Sequence, residues 1–134
     1  MKRILLDTSA FIRYLQGDNA VQDMLSQAEI AYCSVVMIGE LLAGFKRGTR
    51  ERANRQILDE FLGKSTVKIL SVTLNTAEFF SNIKDGLRRK GSPIPINDVW
   101  IAAHTMESGS MLVTFDSHFL SVDGLMIWEV LNSR

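Results

Sequence analysis

One cysteine, Cys33, and two histidines are all the Cys/His metal ligands that 134 residues contain. A single thiol cannot close a disulfide within the chain, and a zinc site of the usual Cys/His kind lacks its donors. Cys33 sits in an apolar run, which reads as an inert buried thiol and not as a nucleophile. The sequence also lacks a long apolar segment, and its N-terminus enters a short strand-like run with no small-residue cleavage site. The expected location is therefore the cytoplasm, with no membrane contact. Repeats, low-complexity tracts and linkers are missing too. What is there is ordinary for a globular chain: 46% hydrophobic and 22% charged residues, enough to build a core in one domain, 1–134.

Net charge is zero but unevenly spread. Lys46, Arg47, Arg50, Arg52 and Arg55 face only Glu51, and Lys84, Arg88, Arg89 and Lys90 face only Asp85. From Asp98 onward the balance reverses, with Asp98, Glu107, Asp116, Asp123 and Glu129 against Arg134. Local basic patches can contact phosphates on a neutral chain, and each alone also reads as a solvated helix face.

Strand-like and helix-like stretches alternate, which predicts an α/β domain with a mainly parallel sheet. Strands are expected at 3–6, 30–33, 67–70 and 111–113, and a last one at 125–128. Helices are expected from Thr8 or Ser9, as cap, to about Leu15, then over 20–27, about 35–45, 50–62, 76–90 and from Asn97 or Asp98 to about Ser108. Ser34 is a suitable N-cap for the third of these, and Gly91 with Pro93 and Pro95 ends the fifth.

Four acids stand where acids are costly. Asp7 and Asp116 lie just past strand ends, on the edge of an open α/β sheet where ligands bind. If the first and fourth strands are neighbours, these carboxylates face each other. Glu40 is the sole charged residue between Val35 and Phe45. That run reads as a buried helix, in which an unpaired carboxylate costs several kcal/mol. An ion pair, a protonated acid or a bound cation would each answer that cost. Asp98 lies one turn before the apolar stripe of Ile101, Ala102, Thr105 and Met106, on the same face, and taken alone reads as an N-cap. Taken together, four carboxylates on one edge repel each other, so one should have a raised pKa unless a hard divalent cation, Mg²⁺ or Mn²⁺, is bound. Such a site can activate water against a phosphodiester without a Ser, Cys or His nucleophile. Thr8, Ser9, Asn97 and Thr114 flank the acids, where a ligating carboxylate or a metal-bound water would need such donors, and turn or cap chemistry is their other reading. For Ser9 the turn or cap reading is preferred; His118, two residues past Asp116, could assist a leaving group but reads better as an exposed or packing residue, His104 as structural, and Trp100 and Trp128 as core or interface residues.

Asp7-Thr8-Ser9-Ala10-Phe11-Ile12 after a short strand resembles the opening of PIN domains. Gly39-Glu40-Leu41-Leu42-Ala43-Gly44, Asn97-Asp98-Val99-Trp100-Ile101-Ala102-Ala103 and Leu112-Val113-Thr114-Phe115-Asp116-Ser117-His118-Phe119 resemble their second, third and fourth acidic motifs. Order, spacing and length are similar to VapC-type toxins of toxin–antitoxin pairs, over nearly the whole chain. The resemblance implies a Rossmann-like three-layer fold with a central sheet of four to five strands. It implies Mg²⁺- or Mn²⁺-dependent endoribonuclease activity on structured RNA such as tRNA or rRNA, a homodimer, and a cognate antitoxin whose Arg or Lys can enter the acidic pocket. By motif match Asp7, Glu40, Asp98 and Asp116 take the catalytic and metal-binding roles. Lys46, Arg47, Arg50, Arg88 and Arg89 are the candidates for RNA contact, and the helices over 35–45 and 50–62 for a groove or dimer surface. The competing reading is a catalytically silent PIN fold that acts through protein contacts. A phosphoacceptor receiver domain would need an acidic pair where Thr8 follows Asp7, and a haloacid-dehalogenase-type phosphatase a second acid where Ser9 stands.

Overall fold

In the computed structural model, which describes residues 2–128, four parallel strands form one sheet in the order β3-β2-β1-β4. β1 is Arg3–Leu6, β2 Ile30–Ser34, β3 Val67–Leu70 and β4 Met111–Val113. Ile4, Leu5 and Leu6 are all fully buried. Since alternate residues of a strand point to opposite faces, both faces of β1 are covered, as a three-layer α/β domain requires. The covering helices are α1 Thr8–Leu15, α2 Asn19–Gln27, α3 Val35–Arg47, α4 Glu51–Leu62, α5 Leu74–Lys90 and α6 Ile96–Glu107, and a 3₁₀ turn spans Ser117–Ser121.

The chain moves from β1 outward through β2 to β3 and then returns to lay β4 on the other side of β1. That reversal opens a crevice at the carboxyl ends of β1 and β4, the place where open α/β sheets bind ligands. Register fixes what meets there. Leu6 pairs with Val113, so Asp7 and Thr114 are the next residues side by side, and the Asp7 N–H donates to the Val113 carbonyl at 3.2 Å.

Three local expectations need correction. Neither Thr8 nor Ser9 caps α1; Asp7 does, accepting from the Ala10 N–H, so this carboxylate serves both the helix end and the crevice. α6 begins at Ile96 with Pro95 as its cap residue, because the fixed φ of proline suits a helix entry without a side-chain acceptor. The expected last strand at 125–128 is a single parallel bridge between Leu112 and Ile127. Gly124, at φ 78°, turns the chain just before it, and among the described residues two bonds tie the segment to β4, the Leu112 N–H to the Met126 carbonyl and the Trp128 N–H to the Leu112 carbonyl. Glu129 and Arg134 lie outside the described residues. Other element ends differ from expectation by one or two residues.

α3 is also more open than an apolar run suggests. Val35, Gly39 and Ala43 are exposed, and their spacing of four marks one solvent-facing stripe on the helix. The opposite stripe, Met37, Leu41 and Phe45, is buried. Among the described residues, no helix is long and apolar enough to cross a membrane.

Two helices that carry site acids are tied together by His104, fully buried on α6. Its Nε2 lies 3.1 Å from the Ser71 carbonyl and its Nδ1 2.9 Å from Ser34 Oγ, the cap of α3. A carbonyl only accepts, so Nε2 carries the proton and Nδ1 is left to accept the Ser34 hydroxyl. His104→Ala is expected to cost about 2–4 kcal/mol through the cavity and the orphaned carbonyl, measured by urea denaturation. A loss below about 0.5 kcal/mol, the scale of an ordinary surface substitution, would show that the tie is not structural.

Candidate active site

Asp7 is 3% exposed, and its carboxylate is held from three sides. Oδ1 accepts the Ala10 N–H at 2.8 Å and the Ser9 hydroxyl at 2.7 Å, while the Thr114 hydroxyl donates a short bond to Oδ2. Burial pushes the Asp7 pKa up to about 6; the bonds from Thr114, Ala10 and Ser9 oppose the rise, and the charge of Asp98 adds to it. The expectation that crowded acids would raise a pKa is met here chiefly by desolvation, with repulsion a smaller cause.

Asp98 occupies the first turn of α6 and is partly buried. Its pKa is raised by burial and by the charges of Asp116 and Glu40, against a lowering hydrogen bond from His118. Asp98 is thus the acid that links the other three: it acts on Asp7, and Asp116 and Glu40 act on it. Glu40 is reached from α1 and α6, since Thr8 Oγ1 donates to Oε1 at 2.6 Å and Asn97 Nδ2 donates to Oε2 at 3.2 Å. It is therefore a partly exposed, hydrogen-bonded acid at the crevice and not a lone charge inside a buried helix.

Asp116 caps the 3₁₀ turn by accepting the His118 N–H at 2.9 Å, and its own N–H donates to Thr114 Oγ1 at 3.0 Å. Phe115, between Thr114 and Asp116, lies under the Arg13 guanidinium at 4.4 Å and meets the Trp128 ring edge-on. This loop is consequently fixed from both sides of its central residue. His118 Nδ1 lies 3.2 Å from Asp98 Oδ2 and 3.0 Å from Asp116 Oδ1.

Two residues whose preferred sequence readings were turn chemistry and packing reach the site acids. Ser9 donates to Asp7 and accepts the Phe115 N–H at 2.9 Å, which joins the loops after β1 and β4. His118 is exposed, as expected, but its ring closes on two of the acids. The available signal was in each case a spacing of two, Ser9 after Asp7 and His118 after Asp116.

The basic candidates divide into two groups. Arg88 and Arg89 both pair with Asp85, at 2.6 and 3.1 Å, and Lys46 pairs with Glu51 at 3.1 Å. Arg47 and Arg50 instead line a groove of about 570 Å³ that reaches Thr8 and Glu40, and among the described residues neither forms an ion pair. Ile12 and Ile57 line the same groove and are exposed. The Cys33 thiol is buried, and burial pushes its pKa up to about 12, so it takes no part.

Comparison with known proteins matches residues 4–125 to the PIN domain family. Ribonuclease VapC5 of Mycobacterium tuberculosis is 27% identical over 127 residues, 95% of this chain and 93% of the relative. The solved structure of VapBC-5 from the same organism, a member of the VapBC family of toxin-antitoxin systems, has 27% identity and a TM-score of 0.73, over 96% of this chain and 97% of its own. VapBC2 from Rickettsia felis, solved bound to a DNA fragment from their promoter, reaches a TM-score of 0.83 at 21% identity, over 94% and 97% of the two chains. At that identity the likeness is one of fold.

Proposed function

This chain belongs to the PIN-domain family, and from that premise we propose that it is a divalent-metal-dependent endoribonuclease, the toxin of a toxin–antitoxin pair. The observation that carries the reading is Asp98 and Asp116 meeting at the crevice between β1 and β4, with Glu40 close enough to act on Asp98 and Asp98 close enough to act on Asp7. The donor set fits the cofactor. It is rich in carboxylate oxygens, which suit Mg²⁺ or Mn²⁺, and burial, with a smaller contribution from neighbouring acids, raises the pKa of Asp7 and Asp98.

Asp98 and Asp116 would hold the cation, with Asp7 and Glu40 alongside. When bound, it supplies Lewis-acid stabilisation of charge on the scissile phosphate and lowers the pKa of water at the site. The chain's other groups set geometry. Ser9 and Thr114 fix Asp7, and Thr8 and Asn97 fix Glu40. Arg47 and Arg50 would take phosphates of an RNA strand along the groove that ends at Glu40. The same groove, with Ile12 and Ile57 exposed in it, suits an amphipathic antitoxin segment, whose arginine could bond the acids bidentately. A homodimer is part of the same reading.

The test is incubation of antitoxin-free protein with labelled tRNA and rRNA in Mg²⁺ or Mn²⁺, beside EDTA. Discrete, metal-requiring cleavage is expected. Intact RNA in every lane, with a folded protein that binds metal, would favour the silent protein-binding module. The groove makes a further prediction. Arg47→Ala with Arg50→Ala should weaken RNA binding on every sequence and lower the slope of log K against log salt by roughly 1.5 to 2. Arg88→Ala with Arg89→Ala should change it less, because Asp85 already pairs with both. Filter binding across a salt series decides this, and equal effects of the two pairs would move the RNA path away from the groove.

A further inference from the structure

We infer that His118 is a nitrogen ligand of the cation held by Asp98 and Asp116, and that it makes the site prefer Mn²⁺ to Mg²⁺. This rests on the metal-dependent reading above and adds a ligand that an all-acid site does not have.

The geometry comes first. One oxygen from each aspartate and one ring nitrogen of His118 all lie within 4.8 Å of one another. Ligand atoms about 2.0–2.3 Å from a shared ion sit at most about 4.6 Å apart, so small side-chain rotations bring all three onto one centre. Nδ1 is the nitrogen that faces both carboxylates, at 3.2 and 3.0 Å.

The placement of the ring is built into the backbone. The Asp116 side chain caps the 3₁₀ turn by accepting the His118 N–H, and Phe119, the next residue, is fully buried. Cap and anchor hold His118 on the Asp116 side of the crevice, while α6 delivers Asp98 from the other side. Nδ1 is already turned towards both carboxylates, and with its proton removed its lone pair would be available to the ion that Asp98 and Asp116 would hold.

The consequence for metal choice follows from ligand type. Mg²⁺ takes oxygen ligands and water and gains little from imidazole, whereas nitrogen ligands favour first-row transition ions, of which Mn²⁺ also accepts carboxylates. His118 therefore adds affinity for Mn²⁺ that Mg²⁺ does not share. The other histidine, His104, is fully buried between Ser34 and Ser71 and offers no confusion in a spectroscopic test.

The experiment uses the antitoxin-free 134-residue protein with ¹⁵N-labelled histidine and Mn²⁺ as the probe. Pulsed electron paramagnetic resonance should show a ¹⁵N hyperfine coupling that disappears in both His118→Ala and His118→Asn. Calorimetry should find Mn²⁺ affinity lowered about tenfold in either variant, with Mg²⁺ affinity changed less than about threefold. Mn²⁺ binding with oxygen couplings alone, or equal losses for both ions, overturns the role of His118 and leaves the metal site standing. No Mn²⁺ binding by the unmodified protein overturns both.

Discussion

Asp98→Asn is expected to lower RNA cleavage by on the order of 100- to 1,000-fold, the range for deleting one preorganised electrostatic contact in an active site, while the protein stays folded. Asp98 is the acid on which the charges of Asp116 and Glu40 act and which in turn acts on Asp7. Removing its charge therefore weakens the common field for a cation more than any change at the rim. The fold has no comparable dependence on it. Pro95, not Asp98, is the cap residue of α6, and the helix is anchored by Val99, Ile101 and Ala102, all buried. Asparagine keeps the shape and an oxygen that His118 Nδ1–H can still reach. Initial rates on labelled RNA, taken with far-ultraviolet circular dichroism melts, separate the two effects. A fully active variant would remove Asp98 from the chemistry, and an inactive but unfolded one would be answered by the Glu40→Gln change, which touches a partly exposed side chain.

Much of this site was legible because each acid is locally anomalous. A charged residue directly after a hydrophobic strand, as with Asp7, or alone in an apolar helix, as with Glu40, conflicts with burial unless something compensates. Register could not be read so directly. That Asp7 and Thr114 sit side by side depends on β4 returning to β1, a long-range pairing that no local pattern specifies. The open stripe of Val35, Gly39 and Ala43 was equally hidden, because hydrophobicity alone does not say which face of an apolar helix meets another element. Ser9 and His118 were assigned their local roles first for a common reason. Serine and histidine have good local roles in turns, and only the three-dimensional approach of the loops after β1 and β4 directs their polar atoms at the acids. The capping of α1 by Asp7 was missed because one carboxylate does two things, and a reading that gave it the crevice looked elsewhere for the cap.

That double duty has a thermodynamic signature. In EDTA the protein is expected to become more stable as pH falls from about 7.5 to 5, the reverse of the usual behaviour of a carboxylate in an ion pair. The folded Asp7 titrates near 6 and its ordinary value is 3.8, so between these limits the native state holds a proton that the unfolded chain has released. Stability from this group is complete below about 3.8 and is lost as pH rises through about 6. A shift of roughly two units corresponds to about 3 kcal/mol between the two limits, and the raised Asp98 acts in the same direction. Asp7→Asn should flatten most of this pH dependence and raise Tm at pH 7.5, on the order of 10 °C for a domain of this size. The amide keeps an acceptor for the Ala10 N–H and for Ser9, and Thr114 can turn to accept where it now donates. The same variant should lose cleavage and should no longer gain Tm when Mn²⁺ is added, whereas the unmodified protein should gain it. If Asp7→Asn is less stable than the parent in EDTA, the carboxylate is a structural cap first and the crevice is not held under charge strain. If it is more stable, inactive and indifferent to metal, then the chain retains at Asp7 a charge that its fold alone disfavours, as expected where a buried acid is kept for the cation it binds.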